Sequence, residues 1–511
     1  MRLSLRVCAS FVLCLAVWAA PLRAQSWDAQ STHSVQGVTV YDADVLLTFA
    51  GQVAFERHGQ ITAEQVAAAI SQIYREDGYF LAEARVASDG RAIVVDEGHI
   101  QEVIIEGVDA HTYAALERVF APLLSVPALP LQRFERAVML AEDIPNIDLS
   151  TEIDFPSSNG ARLRVLVEEQ AKSAGTATLD NPPRELGEAL SLYLAQEFYS
   201  TFAVGDLLRL EASGTINWDQ DNEESLWGAL TYRLPLHSNG LYGELYYGSV
   251  NARRDISGSF ARTEIDGENL TLALGYPVVR DVESYGYLLL DYRLSQSDSE
   301  SGGVPLSSEA DVIGLTYLYG KSFASGGALE AGATLSYGEN EDSNTAPGFD
   351  DGDASFWHLR GGFGYESPLS ALAANTAWRT EIWGQYTNDR LPSVEEFFLG
   401  DRYGLRGYRF DEVDGDSGVS ALFELSQSYF PATPGINRVS PFAFLDLGYV
   451  SNNAPADFEV DDATLASVGI GVDIDFRRNL FLSSYVGFPL KDGPLTEAGD
   501  AAAYIALTTS W

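Results

Sequence analysis

The stretch Phe442-Ala443-Phe444-Leu445-Asp446-Leu447-Gly448-Tyr449-Val450 alternates between two kinds of side chain. In an extended chain the odd-numbered positions, which carry alanine, leucine and tyrosine, share one face, and Asp446 and Gly448 lie on the other. This two-residue period predicts a β-strand with one apolar face. If that face contacts lipid, Asp446 must point into an aqueous interior, because a carboxylate in hydrocarbon is strongly unfavourable.

The same alternation recurs from about Thr176 to the C-terminus. Sixteen candidate strands begin at Thr176, Ala189, Asp206, Leu226, Tyr242, Asn269, Tyr285, Val312, Gly327, Phe356, Thr376, Val419, Phe442, Thr464, Asn479 and Ala503. Divided over residues 176–511, each strand and its connection take about 21 residues, enough for a membrane-crossing strand of about 9–11 residues and a loop. We therefore predict a transmembrane β-barrel of 16 antiparallel strands over residues 173–511.

A soluble β-sandwich would show a similar alternation, with its apolar face turned inward. Two features favour the membrane barrel. The polar face mixes glycine, serine, threonine and charged residues, as a wet lumen would, and the connections alternate in length. Short turns are predicted at His237–Gly240 and Ser325–Gly327, and long acidic loops at Ser295–Ala310 and Glu339–Ala354.

Residues 1–24 are predicted to be a secretory signal peptide. Arg2 and Arg6 precede an apolar stretch from Val7 to Ala20, which is too short for a membrane-spanning helix. Both cysteines of the chain lie inside this segment. The mature chain therefore contains no cysteine, and neither disulfides nor thiolate metal sites contribute to its fold.

The charge of the chain argues against a nucleic-acid partner. Three arginines lie in the signal peptide, so the mature net charge is (32 − 3) − 73 = −44. A polyanion is repelled by such a protein. After residue 24 there is no run of 18 apolar residues, so a membrane-spanning helix is not expected.

The sequence does not indicate an enzyme. The six histidines are scattered without metal-ligand spacing, and there is no nucleophile elbow. The acidic segment Asp350–Asp353 offers oxygen ligands for calcium but lacks the spacing of a calcium-binding loop, so a solvated acidic loop is favoured. No metal and no cofactor are predicted.

The N-terminal third has a helical rather than a two-residue period. Thr62 and Gln65 form a capping box in front of an amphipathic helix that ends at Gly78. Short strand-like runs follow, and the pattern repeats with helices at 112–120 and 131–141 and strands at 147–153 and 163–167. We predict two small α/β modules, the first over residues 25–98 with a short N-terminal segment, the second over residues 99–172.

Two segments of these modules resemble POTRA domains, the periplasmic modules of outer-membrane protein transporters and insertases. They are Ile73-Tyr74-Arg75-Glu76-Asp77-Gly78-Tyr79 and Leu131-Gln132-Arg133-Phe134-Glu135-Arg136-Ala137-Val138-Met139-Leu140. Both are similar to segments of two-partner secretion transporters of the hemolysin-activator type. Generic α/β spacer domains are the alternative. Transporters of this kind often carry a pore-plugging helix before the first module, and the short segment after Gln25 suggests that this helix is missing.

A second resemblance lies between the eleventh and twelfth predicted strands. The segment Phe398-Leu399-Gly400-Asp401-Arg402-Tyr403-Gly404-Leu405-Arg406-Gly407-Tyr408 resembles the glycine-pair and Val-Arg-Gly-Phe/Tyr motif of the same superfamily. The motif positions are Gly400, Leu405, Arg406, Gly407 and Tyr408, and Asp401 replaces a second glycine. In the family this loop, here about residues 388–418, folds into the pore.

The opening strand resembles the partner of that loop. Phe444, Asp446 and Gly448 match a Phe-x-Asp-x-Gly motif whose acid engages the loop arginine in the family. The resemblance thus implies an ion pair between Arg406 and Asp446 inside the barrel. Guanidinium suits this role because its planar fork binds a carboxylate with two hydrogen bonds. The alternative is an exposed loop arginine and an unrelated luminal acid.

The combined resemblance implies an outer-membrane transporter of a Gram-negative cell with its POTRA domains in the periplasm. Its partner would be an exoprotein that is unfolded in the periplasm and leaves through the barrel without nucleotide or cofactor. The final strand, which ends at Trp511, resembles the signal read by the barrel-assembly machinery, and the outer face would contact outer-membrane lipids. An insertase of the same superfamily is the nearest alternative, and a passive porin or a receptor barrel is the next.

Overall fold

The computed structural model describes residues 34–58, 61–157, 160–169, 171–181, 189–217, 224–255, 262–301, 304–340, 352–400, 404–409, 412–453, 455, 460–477 and 479–511. The predicted signal peptide, residues 1–24, lies outside the described residues, as do Asp350, Asp351 and loop residues 401–403. The chain divides into two compact units. The first comprises Met1–Glu102, Leu123–Arg133 and Asp154–Arg162, and the second comprises Val103–Pro122, Phe134–Ile153 and Leu163–Trp511.

The first unit contains two helices packed on a small sheet. Its elements are β1 (Ser34–Gln36), α1 (Ala43–His58), α2 (Ala63–Glu76), β2 (Glu83–Val86) and β3 (Ala92–Asp96). β3 lies between β1, which is parallel to it, and β2, which is antiparallel. The predicted capping box is present: the Thr62 hydroxyl accepts from the Gln65 N–H, and the Gln65 side chain accepts from the Thr62 N–H.

Helix α1 is not predicted by the hydrophobic pattern. Leu46 and Leu47 are buried against α2 and the sheet, but Val45, Phe49 and Phe55 lie exposed on the outer side. Apolar residues therefore surround the helix, and no single stripe marks its period. A local signal did exist, because the Asp42 carboxylate caps the first turn by accepting from the N–H groups of residues 44 and 45.

A second set of α/β elements follows along the chain. It consists of β4 (Ile100–Glu106), α3 (Ala110–Phe120), α4 (Leu131–Glu142), β5 (Ile147–Ser157) and β6 (Gly160–Glu169), with the sheet order β4-β6-β5. Both helices predicted here are confirmed. The module boundaries at 25–98 and 99–172 stay predictions. Among the described residues, no helix has the length and apolar character needed to cross a membrane.

The C-terminal part of the second unit is a closed barrel. Its strands are β7 (Ser173–Asp180), β8 (Ala189–Tyr199), β9 (Leu207–Asn217), β10 (Glu224–Pro235), β11 (Tyr242–Asp255), β12 (Arg262–Arg280), β13 (Ser284–Ser301), β14 (Val304–Ser322), β15 (Ala328–Asn340), β16 (Ser355–Pro368) and β17 (Thr376–Tyr386). The short strands β18 (Phe397–Leu399) and β19 (Val413–Gly415) come next and pair with each other outside the barrel ladder. The barrel continues with β20 (Ser417–Gln427), β21 (Ile436–Ser451), β22 (Asp462–Phe476), β23 (Leu480–Pro489) and β24 (Ala502–Ser510).

The ring contains 16 antiparallel strands and closes where β24 pairs with β7. The predicted strand number is confirmed, and every predicted strand start falls within an observed strand or one residue before it. At the closing seam Trp511 follows the last strand, and its backbone N–H donates to the Gly175 carbonyl at 3.1 Å. Whether this C-terminal strand is read by an assembly machinery stays a prediction.

Side-chain orientation in β21 follows the predicted alternation. Leu445, Leu447 and Tyr449 are exposed on the outer surface, whereas Phe444 and Asp446 are buried on the inner side. An exposed apolar face on a barrel wall is the surface that hydrocarbon covers. Residue parity therefore places the carboxylate of Asp446 in the lumen.

The prediction of a long loop at Ser295–Ala310 is wrong. Strands β13 and β14 continue through this acidic segment and pair as far as Ser301 and Val304. The hydrogen bonds between strands are made by the backbone. Where both faces of a strand are in water, polar side chains are tolerated on either face and the strand can continue. Cross-strand bonds such as that from the Ser307 hydroxyl to Asp298 at 2.6 Å add to the pairing. In the other predicted loop, Glu339–Ala354, β15 runs to Asn340, and residues 341–351 lie outside the described residues.

Within the second unit, side chains at the end of helix α4 contact the end of β12. The Arg280 guanidinium donates twice to Asp143, from Nη2 to Oδ1 at 2.7 Å and from Nε to Oδ2 at 3.0 Å. Arg136 Nη2 donates to the Pro277 carbonyl at 2.6 Å. Two arginines therefore fasten the end of α4 to the barrel rim.

We expect Asp143→Asn to weaken this attachment by about 1–2 kcal/mol, because the amide keeps the shape but loses the charge of the acceptor. Partial exposure of both side chains limits the loss. Hydrogen exchange of residues 134–143 should accelerate about five- to thirtyfold. Asp148→Asn, at an exposed position of β5, is the matched control. Equal exchange rates in the two variants would contradict the prediction.

Candidate functional site: the inserted loop and its luminal clasp

The connection between β17 and β20 spans residues 387–416, close to the predicted 388–418. Its described residues are 387–400, 404–409 and 412–416. Within it β18 and β19 form a narrow antiparallel ladder, in which Leu399 is opposite Val413. Arg406 lies in the connection between these two short strands. The ladder holds both ends of that connection together and so presents Arg406 at a loop tip.

The structure brings Arg406 and Asp446 together. Arg406 Nε donates to Asp446 Oδ2 at 2.8 Å, and Nη2 donates to Oδ1 at 2.8 Å. The Arg406 backbone N–H also donates to Oδ2, at 3.1 Å. Asp446 is fully buried and Arg406 is 8% exposed. The two-pronged geometry is the strong form of an arginine–carboxylate bond, and it fixes both the side chain and the backbone of the loop tip.

A second acid, Glu424, completes the arrangement. Arg406 Nη1 donates to Glu424 Oε2 at 2.7 Å, and the guanidinium carbon lies 3.7 Å from the centre of the Phe444 ring. We refer to Arg406, Asp446 and Glu424 as the clasp. Sequence reasoning missed Glu424. The signal was available, because Glu424 is opposite Phe444 in the β20–β21 ladder and so shares the luminal face of Asp446.

The loop tip is also packed by apolar contacts. Leu405 and Tyr408 are fully buried in a cluster with Leu399 of β18 and side chains of β21 and β22. The Tyr408 hydroxyl lies 2.9 Å from both the Ala466 and the Lys491 carbonyl oxygens. These contacts tie the tip to β22 and to the connection after β23. The loop is therefore held by hydrophobic burial as well as by the clasp.

Three glycines let the loop lie close to its surroundings. Gly400 and Gly407 have φ values of 125° and 98°, a region that favours glycine. A side chain at Gly407 would also meet the backbone of Gly487 on β23. At Gly448 a Cβ atom would lie 2.7 Å from Leu399 Cδ1 and 3.3 Å from Leu405 Cδ1, so the space above this glycine is filled by loop side chains.

We expect Gly448→Val to displace the loop, because its methyl groups would overlap Leu399 and Leu405. Overpacking of this kind costs about 1–3 kcal/mol. Protease cleavage or hydrogen exchange in residues 404–409 should therefore increase. Gly404→Ala serves as the control, since no atom lies within 4 Å of a Cβ at that position. If Gly448→Val left the loop as protected as the control does, the packing would not be holding it.

The clasp lies beside an open luminal cavity of about 420 Å³. Arg406, Glu424, Asp473 and Tyr485 contribute to its lining. One guanidinium faces two carboxylates, so the acids outnumber the cation at this point. Such bonds can be exchanged for water or for polar groups of another chain, because their partners lie at the edge of an aqueous space. The site therefore binds the loop through charge-assisted hydrogen bonds at the edge of this cavity.

A closed 16-strand barrel with an arginine loop inserted in its lumen defines a class of outer-membrane protein, and comparisons with known proteins agree. The fold resembles CdiB from Escherichia coli, with a TM-score of 0.75 and 18% identity over 97% of this chain and 94% of that one. It also resembles CdiB from Acinetobacter baumannii, with a TM-score of 0.70 and 14% identity over 94% and 89% of the two chains.

Residues 159–474 match the family described as haemolysin secretion/activation protein ShlB/FhaC/HecB, and the chain belongs to this family. In sequence it is 29% identical over 93 residues to the outer membrane transporter CdiB of Escherichia coli. That match covers 18% of this chain and spans only 16% of the relative's length. Family and fold together place the protein in the Gram-negative outer membrane.

Proposed function

We propose that this protein exports an unfolded partner exoprotein to the cell surface by two-partner secretion. The observation that carries the proposal is the clasp, which holds an inserted loop inside the lumen of a family member. A solute porin needs no such device. In the proposed cycle the loop is bound at rest and shifts when the exported chain occupies the lumen. Transport, rather than catalysis, is then the work of the barrel, without nucleotide or cofactor.

The two N-terminal modules are proposed to be POTRA domains that receive the exoprotein in the periplasm. β2 is an edge strand, since the sheet order is β1-β3-β2. A groove of about 700 Å³ lies between this strand and α2 and is lined by Ala67, Arg75 and Val86, among others. An extended segment of the exoprotein could add to this edge through backbone hydrogen bonds, as peptides do in β-augmentation.

The test is to produce the protein together with a secreted protein encoded beside it and to measure the exoprotein on the cell surface. We expect export with the intact chain and loss of export with Val86→Pro, because proline removes a donor and distorts the edge strand. Val86→Thr, which keeps the backbone donor and the branched side-chain shape at the same position of β2, is the control. Surface export of the exoprotein without this protein would contradict the proposed export function. Equal export by the two variants would contradict the proposed binding of the exoprotein to the edge strand.

An insertase of the same superfamily is distinguished by a second readout. If the protein inserted other barrels, its removal would lower the abundance of several outer-membrane proteins and not only of one exoprotein. We expect the abundance of other barrels to be unchanged. A general fall in outer-membrane proteins would favour the insertase instead.

A further inference from the structure

The first limb of the inserted loop, residues 387–396, is held by a second group of charged residues. Glu395 lies in a 3-10 turn at Ser393–Glu395, and its side chain is 2% exposed. Arg293 of β13 donates to it from Nη2 to Oε2 at 3.0 Å and from Nε to Oε1 at 3.2 Å. His358 Nε2 of β16 lies 3.0 Å from Oε2. The carboxylate is therefore bound by two barrel strands that play no part in the clasp.

The backbone of the limb is bound at the same place. Arg360 Nη2 of β16 donates to the Glu395 carbonyl at 2.8 Å, and Gln385 Nε2 of β17 donates to it at 3.1 Å. Leu391 is buried nearby against Val312 of β14 and Phe356 of β16. Contacts of the Glu395 side chain, of its backbone carbonyl and of the apolar Leu391 thus hold the first limb in one position on the barrel wall.

The charges of this group balance. Asp291 lies 3.8 Å from Arg293, so two carboxylates, Asp291 and Glu395, face the two guanidiniums of Arg293 and Arg360. Charges that are out of bulk water are stable only when they are paired and hydrogen-bonded. Without Glu395 the loop would no longer supply one of the two acids. The barrel wall therefore depends on the loop for its own neutrality here.

This group extends along the ring from β13 to β17, and β17 is the neighbour of β20 in the clasp. Going from β13 to β21 takes six strand-to-strand steps in the sixteen-strand ring. The loop is therefore tied near one end to β13 and β16 and at its tip to β20 and β21. Two ties, one from β13 to β17 and one at β20 and β21, fix the path of the loop along the wall, which one tie at the tip could not do.

We propose that Glu395 is a second positioning residue of the inserted loop: its bonds with Arg293 and His358 hold the first limb on the β13–β16 wall. The clasp and the buried Leu405 and Tyr408 hold the tip, and both this tie and the one at Glu395 must open for the whole loop to leave the lumen. The inference goes beyond the export function, because it concerns how the resting loop is placed and not which chain is transported.

The test uses the full chain with a single reporter cysteine at Val394, a partly buried loop position next to Leu391. Since the mature chain has no other cysteine, its labelling rate reports release of the first limb. We expect Glu395→Gln to raise the labelling rate at least about tenfold, whereas Glu395→Asp, which keeps the charge, restores most of the protection. Glu330→Gln, at an acid of β15 that bonds to Tyr285, is the matched control.

A double-mutant cycle of Arg293 and Glu395 distinguishes a direct bond between the two residues from a general loss of stability. Arg293→Gln should raise labelling by a similar factor, and the double variant with Glu395→Gln should be little worse than either single variant, because the two-pronged Arg293–Glu395 pair is lost in all three. If Glu395→Gln does not fold, Arg293→Lys still loses the two-pronged bond and should label faster than the parent. Unchanged labelling in Glu395→Gln or in Arg293→Lys, or additive effects in the cycle, would overturn the proposal.

A readout of pore opening accompanies the labelling. Purified protein in planar bilayers should show more frequent open events for Glu395→Gln than for Glu330→Gln. No exoprotein is present in either measurement, so failure of the export proposal leaves this result readable. Open events equal to those of the control, together with faster labelling, would overturn the part of the proposal that links the limb to the lumen.

Discussion

Replacing Arg406 with alanine should release the loop tip and abolish surface export at equal barrel abundance. The substitution leaves Asp446 fully buried, with Glu424 nearby, and removes the cation that both acids bind. Removing one partner of a buried ion pair costs about 3–5 kcal/mol, and contact of the lumen with water keeps the loss toward the lower figure. Labelling of a cysteine placed in residues 404–409 should rise by at least a hundredfold, the factor that corresponds to about 3 kcal/mol.

Three further variants test which residues of the clasp hold the loop. Asp446→Asn should behave like Arg406→Ala, because it removes the charge of the two-pronged partner. Glu424→Gln should have a smaller effect, since Glu424 makes a single bond and its side chain is 21% exposed. Arg379→Ala is the control, because Arg379 lines the same cavity but bonds to Glu381. Normal export by both Arg406→Ala and Asp446→Asn would remove the clasp from the mechanism, and a loss of abundance would assign it to stability.

Side-chain parity is the reason that so much of the barrel could be predicted. A strand that has one face in lipid must alternate, and the alternation survives in the sequence wherever the strand crosses hydrocarbon. Parity alone put Asp446 in the lumen. Beyond the membrane the constraint disappears, and for that reason the acidic pattern of Ser295–Ala310 predicts a loop where β13 and β14 continue.

The residues that hold the loop were predictable only in part. Arg406 and Asp446 stand in local motifs that a resemblance can identify. Glu424 and Glu395 do not, because their roles depend on which strands lie next to each other and on the path of the loop through the lumen. Arg293 and Glu395 are separated by 102 positions, and no periodicity relates them. Contacts of this kind follow from the closed ring and not from any one segment.

The second large effect is expected at Glu97 in the first unit, where one buried carboxylate holds two segments together. Glu97 accepts from the backbone N–H groups of Thr39 and Val40 at 2.7 and 3.0 Å, from the Thr39 hydroxyl, and from the Tyr74 hydroxyl at 2.6 Å. Tyr74 belongs to α2 and is fully buried. Glu97→Ala should destabilise this unit by about 2–3 kcal/mol, because it leaves the buried Tyr74 hydroxyl and the partly buried donors of Thr39 and Val40 without this acceptor.

Hydrogen exchange of α2 and β3 in the full chain measures this loss. At neutral pH, exchange in Glu97→Ala should be at least about tenfold faster than in the parent. Glu56→Gln is the control, since Glu56 is an exposed acid of α1. Equal protection in Glu97→Ala and the control would show that the carboxylate does not hold the unit together.

The same group predicts how the stability of the first unit depends on pH. Burial alone would raise the pKa of the Glu97 carboxyl, but the hydrogen bonds from Thr39, Tyr74 and Val40 outweigh it and bring the pKa below its ordinary value of about 4.5. A lowered folded-state pKa means that the stabilisation is complete above the ordinary value and is lost as the pH falls through the folded-state pKa. Protection of α2 should therefore fall in the parent but change less in Glu97→Gln, which has no carboxyl to titrate. The measurement runs from about pH 6 to about pH 3, a range that includes the ordinary pKa of a glutamate. If the parent and Glu97→Gln lost protection equally over this range, a group other than Glu97 would control the response to acid.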